Sequence, residues 1–316
     1  MSAPQIVVVA GPTATGKTRL GILLAQRYGG EIVSADSMQV YRRMDVGTAK
    51  ATAEERAAAR HHMLDVAEPW ENYSVSRYVE EAARCCDDIL ARGRLPILVG
   101  GTGLYIDSLL SGRDFAGREE DGEGLRASLN ERYDAEGGEA LLAELASFDP
   151  DRAAKLHPGD RRRIVRAIEI YRLTGETISE HDRRTRSIPP RYEAARIHLN
   201  YKNRADLYAR IDARVDAMVE NGLFEEVAAL LAEGVGADCT AMQAIGYKEA
   251  AAALRGELSR AEAIAAIKLG SRRYAKRQLT WFSRAEEALD ILWDGAPDFE
   301  EALRVSTEFL ASRGLS

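Results

Sequence analysis

The sequence contains little cysteine, few aromatic residues and no long apolar run. Its three cysteines, Cys85, Cys86 and Cys239, have neither the number nor the spacing of a disulfide framework or a zinc site. No apolar stretch approaches the ~18 residues of a membrane-spanning helix. With 46% hydrophobic and 29% charged residues, we expect a soluble globular protein without a membrane partner. Because residues 1–4 lack the basic start of a signal peptide, we expect it in the cytoplasm.

The formal net charge of -7 over 316 residues argues against a protein that coats nucleic acid indiscriminately. The basic residues nevertheless cluster in three tracts. They are Arg161, Arg162, Arg163, Arg166 and Arg172; Arg183, Arg184, Arg186, Arg191 and Arg196; and Lys268, Arg272, Arg273, Lys276, Arg277 and Arg284. Charges on helices are often only a solvated face. Clustering without matching acids instead favours a defined footprint for a polyanion.

A phosphate-binding loop follows the first predicted strand. Residues 6–9 form a β-branched run typical of a buried parallel strand, and the next residues complete a P-loop. Its backbone N–H groups and the following helix N-terminus bind phosphate, Lys17 adds a cation, and Thr18 offers a hydroxyl to Mg²⁺. The predicted phosphate-binding residues are Gly11, Pro12, Thr13, Ala14, Thr15, Gly16, Lys17 and Thr18. A chance match in an ordinary turn is the alternative, which the flanking strand and helix patterns disfavour.

An acid follows the second predicted strand, residues 31–35. Asp36 would lie at the carboxyl end of that strand, where ligands bind in open α/β sheets. A carboxylate there can bind Mg²⁺ indirectly, orient a hydroxyl or accept a proton, and the alternative is a simple turn or helix cap. His61 and His62 are expected to be structural or to lie beside a phosphate, because neighbouring side chains of a strand point to opposite faces and do not form a metal site by themselves.

The predicted strand at residues 95–99 ends without the acid that P-loop NTPases place there. Gly100 and Gly101 follow instead, and glycines allow the backbone to approach a ligand closely. Thr102 either caps the next helix or donates a hydrogen bond to a ligand. The sequence therefore lacks the expected water-activating carboxylate at this position.

Periodicity predicts an α/β fold with a P-loop NTPase-like core, a parallel sheet and a helical insertion domain. Residues 113–195 carry helical spacing and no strand pattern, whereas residues 196–201 alternate as a strand that could rejoin the sheet. The core is thus predicted at 1–112 and 196–316, with a helix at 52–61, an edge strand at 289–293 and a long helix at 259–283. In that long helix, Arg273, Lys276 and Arg277 can share one face.

Seven motifs occur in order along nearly the whole chain. They are the P-loop, SADSMQVY at 34–41, GTAK at 47–50, HHMLD at 61–65, GGTGLY at 100–105, AIGY at 244–247 and YAKRQLTW at 274–281. This ordered set closely resembles the bacterial tRNA dimethylallyltransferase family. Departures are Lys248, where an arginine is often expected, and the acidic, glycine-rich segment 117–124.

The resemblance implies that the P-loop binds the diphosphate of dimethylallyl diphosphate rather than ATP. Lys17, backbone N–H groups and Mg²⁺ near Thr18 would stabilise the leaving diphosphate, and Thr102 would contact the bridging oxygen. Asp36 would accept a proton from N6 of adenosine 37 of a tRNA. The adenine would be flipped into a pocket lined by Ser37, Met38 and Gln39.

The resemblance also implies contacts with the anticodon stem-loop of tRNA. The residues concerned are Asp36, Ser37, Met38, Gln39, Arg126, Arg162, Arg163, Arg166, Gln243, Gly246, Tyr247, Lys248, Lys276, Arg277, Gln278 and Trp281. Nothing in the sequence requires more than a monomer. The rival interpretations are a small-molecule or nucleoside kinase, an RNA-binding ATPase, and an adenylate isopentenyltransferase acting on free nucleotide.

Overall fold

The structure is a computed structural model that describes residues 3–112, 123–185, 187–285 and 287–315. The chain divides into two compact units, one made of Met1–Leu110 and Arg191–Ser316 and the other of Ser111–Pro190. The predicted helical segment was 113–195, so the observed division starts two residues earlier and ends five residues earlier. Most of the unusual segment 117–124 lies outside the described residues.

The first half of the larger unit alternates strands and helices. Its elements are β1 (Gln5–Ala10), α1 (Lys17–Tyr28), β2 (Glu31–Ala35), α2 (Ala53–Ala58), β3 (His61–His62), α3 (Val75–Ala91), β4 (Pro96–Gly100) and α4 (Gly103–Ser111). The prediction of a helix over 52–61 was too long. The backbone is already extended at Ala59, and His61 then pairs with Ile32 of β2.

The smaller unit is helical throughout its described residues. It contains α5 (Glu123–Glu136), α6 (Gly138–Phe148), α7 (Pro150–Ala153), α8 (Arg161–Thr174) and α9 (Ile178–Thr185). The unit has a hydrophobic core of its own, which includes the fully buried Leu129, Leu141, Leu145, Ile164 and Ile168. These residues recur at helical spacing on α5, α6 and α8, so each helix contributes one apolar face to this core.

The second half of the larger unit returns to the sheet and adds helices. It contains β5 (Glu193–Tyr201), α10 (Arg204–Glu220), α11 (Leu223–Ala232), a short 3-10 helix (Ala241–Gln243), α12 (Tyr247–Leu254), α13 (Arg260–Phe282), β6 (Leu289–Trp293) and α14 (Phe299–Ser312). The returning strand begins at Glu193 instead of Arg196, because Glu193 and Ala194 already pair with Gln5 and Ile6 of β1.

One parallel sheet of six strands organises the larger unit. The strand order is β3-β2-β4-β1-β5-β6, with Val8 of β1 aligned with Leu98 and Arg196 on its two neighbours. Side chains of β1 are buried on both faces, against two separate hydrophobic clusters. Burial on both faces explains the continuous apolar run in this strand. The predicted parallel sheet of a P-loop core is confirmed, and β6 is an edge strand as predicted. Among the described residues, no helix is both long and apolar enough to span a membrane.

A buried carboxylate at the start of β2 gathers several basic side chains. Glu31 is 1% exposed, and its Oε2 lies 2.9 Å from a guanidinium nitrogen of Arg92 and 2.7 Å from Nε2 of His62. Arg94 and Arg60 approach the same carboxylate at 3.3 and 3.8 Å. Hydrogen bonding from Arg92, together with His62, lowers the pKa of Glu31 to about 2 despite its burial. The ion pair of Glu31 and Arg92 connects the start of β2 to the end of α3.

We predict that Glu31→Gln lowers the free energy of unfolding by about 3 kcal/mol at pH 7, because it leaves the surrounding cations without their carboxylate. The contribution is fully present above the ordinary glutamate pKa of 4.5 and is lost as pH falls toward about 2. Urea unfolding at pH 7 and pH 3 measures both effects, and the difference between variant and wild type should shrink at the lower pH.

The matched control is Glu80→Gln, since Glu80 is 72% exposed beside Arg84. Loss of an exposed ion pair changes stability by roughly 0–1 kcal/mol. Equal stability of Glu31→Gln and wild type at pH 7 would show that the buried cluster does not stabilise the sheet.

Candidate active site

The carboxyl ends of β1, β2 and β4 border a cavity of about 590 Å³. The P-loop lines it after β1, Asp36 to Gln39 line it after β2, and Gly100 and Gly101 line it at the end of β4. Helices α10 and α13 add further wall, including Arg214 and Arg277. Parallel strands end at one edge of a sheet, so residues far apart in sequence meet there. The structure therefore brings the P-loop, Asp36 and the Gly100–Gly101 turn to one site.

The P-loop has backbone angles that only glycine adopts easily. Gly11 has φ 141° and Gly16 has φ 85°, and a Cβ on Gly11 would lie 2.2 Å from the carbonyl oxygen of Leu199. Helix α1 begins at Lys17, immediately after this turn. Thr13, Ala14, Gly16, Lys17 and Thr18 line the cavity, whereas Gly11, Pro12 and Thr15 form the back of the loop.

Two partly buried cations, Lys17 and Arg214, line this cavity. The ammonium group of Lys17 donates to the carbonyl of Pro12 at 2.6 Å. Burial, reinforced by the nearby Arg214 and opposed by Asp36, lowers the pKa of Lys17 to about 7. Burial also lowers the pKa of Arg214, against the charges of Asp36 and Glu55, and its Nε has no hydrogen-bond partner within the described part of the chain. Two neighbouring, partly buried cations, one of them with an open donor, suit the binding of an anion.

Arg214 was missed by sequence reasoning. On α10 the buried residues Leu207, Ile211 and Val215 mark the apolar face, and Arg214 lies three positions after Ile211. An arginine at core spacing on an amphipathic helix is an anomaly that could have been noticed. Arg214 lies outside the three basic tracts, so charge clustering did not indicate it.

Asp36 caps the turn after β2 and also lines the cavity. Its Oδ1 accepts the N–H groups of Met38 at 2.9 Å and Gln39 at 3.3 Å, which is the hydrogen bonding of a turn-capping aspartate. The residue also lines the cavity and lies close enough to Lys17 and Arg214 to shift their pKa values. Its carboxylate is thus held in a defined orientation beside the two cations.

Thr102 is hydrogen-bonded to Ser37, the residue that follows Asp36. Its Oγ1 accepts the N–H of Ser37 at 3.1 Å, and its own N–H donates to Ala35 at 3.1 Å. Thr102 also accepts from the N–H groups of Tyr105 and Ile106 at the start of α4. The threonine therefore ties the end of β4 to the turn that carries Asp36.

The side chain of Gln39 braces the cavity wall. Its Oε1 accepts from Ser34 at 3.1 Å, and its Nε2 donates to the carbonyl of Thr48 at 3.3 Å. Ser37 and Met38 line the same cavity with Gln39. With both ends of its amide bonded inside the protein, Gln39 shapes the pocket mainly by position.

The predicted tRNA contact of Gln278 concerns a side chain that lines the cavity but is almost entirely buried. This side chain is 5% exposed, its Oε1 accepts the N–H of Thr13 at 3.0 Å, and its Nε2 donates to the carbonyl of Gly101 at 2.9 Å. The amide is fully engaged, so Gln278 connects the P-loop to the Gly100–Gly101 turn. Burial was invisible in the sequence because its neighbours Lys276 and Arg277 are exposed.

Tyr247 is likewise buried, which corrects its predicted contact with tRNA. The side chain is fully buried, and its hydroxyl donates to Glu226 at 2.5 Å. The carboxylate of Glu226 also accepts the N–H groups of Asp45, Val46 and Gly47 at 2.8, 2.8 and 3.1 Å. The tyrosine therefore supports the loop of the GTAK motif. The adjacent Gly246 donates its N–H to Glu249 at the start of α12.

Other predicted tRNA-contacting residues of the larger unit are accessible. Arg277 is exposed and borders the cavity, and Lys276 is exposed one position earlier. Trp281 is 37% exposed with its Nε1 donating to Asp107 at 2.7 Å. Gln243 lines the cavity and donates to the carbonyl of Ala237, and the Lys248 side chain is 50% exposed.

In the smaller unit, the predicted arginines fall into two groups. Arg162 and Arg163 are exposed on the first turn of α8, and the nearest carboxylate oxygen to Arg163 is that of Asp160 at 3.6 Å. Arg126 and Arg166 instead bind the two oxygens of Glu169, which is fully buried. One carboxylate partly neutralises this second pair, so Arg162 and Arg163 are the more available cations.

No group of three histidine, cysteine or acidic side chains that could hold a metal ion occurs among the residues described. Mg²⁺ characteristically takes only one or two protein ligands and completes its shell with water and substrate phosphates. Thr18 lines the cavity beside the phosphate-binding turn and fits that role. These residues are thus compatible with Mg²⁺ that arrives with a diphosphate.

Comparison with known proteins places this site in a family. The sequence model of the IPP transferase family matches residues 39–285, and that of isopentenyl transferases matches residues 4–68. The tRNA dimethylallyltransferase of Thermoanaerobacter sp. (strain X514) is 45% identical over 98% of this chain and 99% of its own. That of Caldanaerobacter subterraneus subsp. tengcongensis is 47% identical with the same coverage.

Solved structures agree with the sequence comparison. The full-length tRNA isopentenylpyrophosphate transferase of Bacillus halodurans is 40% identical, with a TM-score of 0.72 over 98% of this chain and 96% of that one. A eukaryotic dimethylallyltransferase crystallised while acting on tRNA is 30% identical, with a TM-score of 0.80 over 98% of this chain and 80% of its own. By sequence and by fold, the chain belongs to the IPP transferase family of prenyltransferases.

Proposed function

We propose that the protein transfers the dimethylallyl group of dimethylallyl diphosphate to N6 of adenosine 37 in tRNA, which yields N6-(dimethylallyl)adenosine and diphosphate. The single observation that carries the proposal is that the partly buried cations Lys17 and Arg214 line one cavity with the carboxylate of Asp36. The names of the relatives supply the substrate class. We expect the enzyme to act as a monomer in the cytoplasm.

The cation pair accounts for stabilisation of the leaving group. As the bond between C1 and the bridging oxygen breaks, negative charge develops on the diphosphate. Lys17, Arg214 and P-loop N–H groups would neutralise that charge in a dry site, where electrostatic interactions are strong. Mg²⁺ near Thr18 would supply further charge neutralisation when bound. Thr102, through its contact with Ser37, would keep this side of the cavity rigid, and we assign it the contact with the bridging oxygen.

Asp36 accounts for activation of the acceptor. Bond formation between N6 and C1 leaves an extra proton on the nitrogen, and a carboxylate within hydrogen-bond reach can accept it. The recorded hydrogen bonds to Met38 and Gln39 both use Oδ1, so the second oxygen is the one assigned to N6. Atoms and charge balance, because the proton goes to Asp36 and the bonding electrons leave with diphosphate.

The acceptor base would enter the cavity by flipping out of the anticodon loop. A volume of about 590 Å³ falls in the range of sites for small ligands and can take a base together with the donor. Ser37, Met38 and Gln39 would line the base pocket, and the loop held by Glu226 and Tyr247 would form its opposite wall.

Exposed cations would bind the phosphates of the anticodon stem-loop. We assign this role to Arg162 and Arg163 in the helical unit predicted at 113–195, with Arg126 and Arg166 contributing less because they share Glu169. In the core unit, Lys248, Lys276 and Arg277 would contact phosphates, and Trp281 and Gln243 would contact bases; their exposure supports this assignment.

The function is tested by incubating the protein with labelled dimethylallyl diphosphate, Mg²⁺ and an anticodon stem-loop that carries adenosine 37. We predict that label enters the RNA. Asp36→Asn should lower kcat by roughly 10²–10⁴, in line with the removal of a general base, and should retain binding of both substrates.

Asp294→Asn is the control for this variant, because Asp294 is 81% exposed and pairs only with Lys202 among the described residues. Label transfer to AMP or ATP instead of RNA would favour an isopentenyltransferase of free nucleotides. ATP-dependent phosphorylation would favour a kinase. Full turnover by Asp36→Asn would reject Asp36 as the base.

We predict that Arg214→Gln raises the dissociation constant for inorganic diphosphate about 10–100-fold, as expected for the loss of a buried charge-assisted hydrogen bond. Affinity for the stem-loop should change little. Arg210→Gln, an exposed residue one turn earlier on α10, controls for the loss of charge. Calorimetric titration measures the binding, and equal affinity in both variants would remove Arg214 from the anion site.

We predict that the double variant Arg162→Gln/Arg163→Gln weakens RNA binding and reduces the slope of log Kd against log salt concentration by about 1.5, because two phosphate contacts are lost. Arg172→Gln is the control on the same helix, since Arg172 is paired with Glu144 at 2.6 Å. Fluorescence anisotropy with labelled stem-loop at several salt concentrations gives the slope. A slope equal to that of wild type would exclude this pair from the footprint.

A further inference from the structure

The C-terminal segment contacts the P-loop from the side that faces away from the cavity. Trp293, the last residue of β6, donates its indole Nε1–H to the carbonyl oxygen of Thr15 at 2.9 Å. Both residues are buried, with Trp293 4% exposed and Thr15 fully inaccessible. A buried carbonyl without this donor would lack a hydrogen-bond partner, since water does not reach it.

This hydrogen bond sets the orientation of a peptide plane in the loop. In a trans peptide the C=O of one residue and the N–H of the next point in opposite directions. Because Trp293 fixes the Thr15 carbonyl toward the sheet edge, the N–H of Gly16 points the other way. Gly16 lines the cavity whereas Thr15 does not. The indole thereby directs one N–H donor of the loop toward the site of the anion.

The ring of Phe299 packs against the same turn of the P-loop, at Gly16. A Cβ added to Gly16 would lie 2.5 Å from the tip of the Phe299 ring, so ring and loop backbone are in direct contact. The ring centroid lies 5.5 Å from that of Trp293 and 5.1 Å from the guanidinium carbon of Arg19, on the first turn of α1. Gly16 has φ 85°, a conformation that the surrounding structure has to maintain.

We propose that Trp293 and Phe299, here called the C-terminal clamp, are positioning residues for diphosphate binding. The proposal rests on the function proposed above and deepens it. The clamp holds the Thr15–Gly16 peptide in the orientation that binds the diphosphate of the donor, and neither residue touches the substrate. Gln278 holds the same loop on the other side through the N–H of Thr13.

Packing alone is the competing explanation, because a tryptophan at a strand end ordinarily fills space. Trp293→Phe separates the two roles, since phenylalanine keeps an aromatic ring in the core and removes the N–H donor. We expect this variant to bind inorganic diphosphate about tenfold more weakly and to raise the KM for dimethylallyl diphosphate by a similar factor. The kcat and the affinity for the stem-loop should stay within about twofold.

Trp70→Phe is the matched control, because Trp70 is 56% exposed and away from the loop. It should bind diphosphate as wild type does. A Trp293→Phe variant that is folded and binds diphosphate with wild-type affinity overturns the clamp and leaves the proposed function standing. Failure of the wild-type protein to bind diphosphate overturns both.

A second measurement decides the matter if Trp293→Phe does not fold. The protein has three tryptophans, so Trp70→Phe/Trp281→Phe leaves Trp293 as the sole indole. Diphosphate bound to the N–H of Gly16 polarises the peptide whose carbonyl accepts from that indole. We expect titration with diphosphate to shift or quench the Trp293 emission with the same midpoint as calorimetric binding. Emission that stays constant through saturation overturns the proposal.

Discussion

Two partly buried cations, Lys17 and Arg214, lie at the carboxyl edge of the sheet without full compensation of their charge. Burial lowers the pKa of both Lys17 and Arg214, and the acids that oppose this effect are Asp36 and Glu55. Taking charge out of water is costly unless a partner replaces the lost hydration. The protein accepts this cost at the carboxyl edge of its sheet, where an anion can supply the missing partner. A second feature differs from the site of an ATPase, because β4 ends at Gly100 and is followed by Gly101, without the acid that would activate water.

Binding of an anion by backbone N–H groups depends on the rigidity of the loop that carries them, and this rigidity comes from outside the loop. Gln278 fixes the N–H of Thr13, and Trp293 fixes the carbonyl of Thr15. The opposite wall is held in a similar way, because one carboxylate, Glu226, binds three consecutive N–H groups and the hydroxyl of Tyr247. Gln278 and Tyr247, which motif grounds group with the substrate-binding set, therefore hold the backbone that lines the cavity.

Tyr247 and Gln278 were assigned to the tRNA-contacting set by resemblance, within the ranges 243–248 and 276–283, and both side chains are buried. Their exposed basic neighbours in the same motifs lie in a different environment. A helix turns by about 100° per residue, and adjacent positions therefore face different environments. Gln278 is buried in the larger unit although the two residues before it, Lys276 and Arg277, are exposed. Tyr247 is the first residue of α12, and its ring packs against Gly47. A motif identifies residues that matter without stating which of them meets the ligand.

The sequence alone determined strand β1, the P-loop and helix α1, and it determined that Asp36 follows β2. It also determined that the chain has a parallel α/β core and a helical segment. These features depend on spacing within about ten residues, which hydrophobic period and turn residues record directly. Only the tertiary structure decided that Arg214 joins Lys17, that Gln278 reaches Thr13 across 265 positions, and that Trp293 reaches Thr15 across 278. Local propensity carries no record of such partners, because they meet only after β5, β6 and α13 have packed around the first strand.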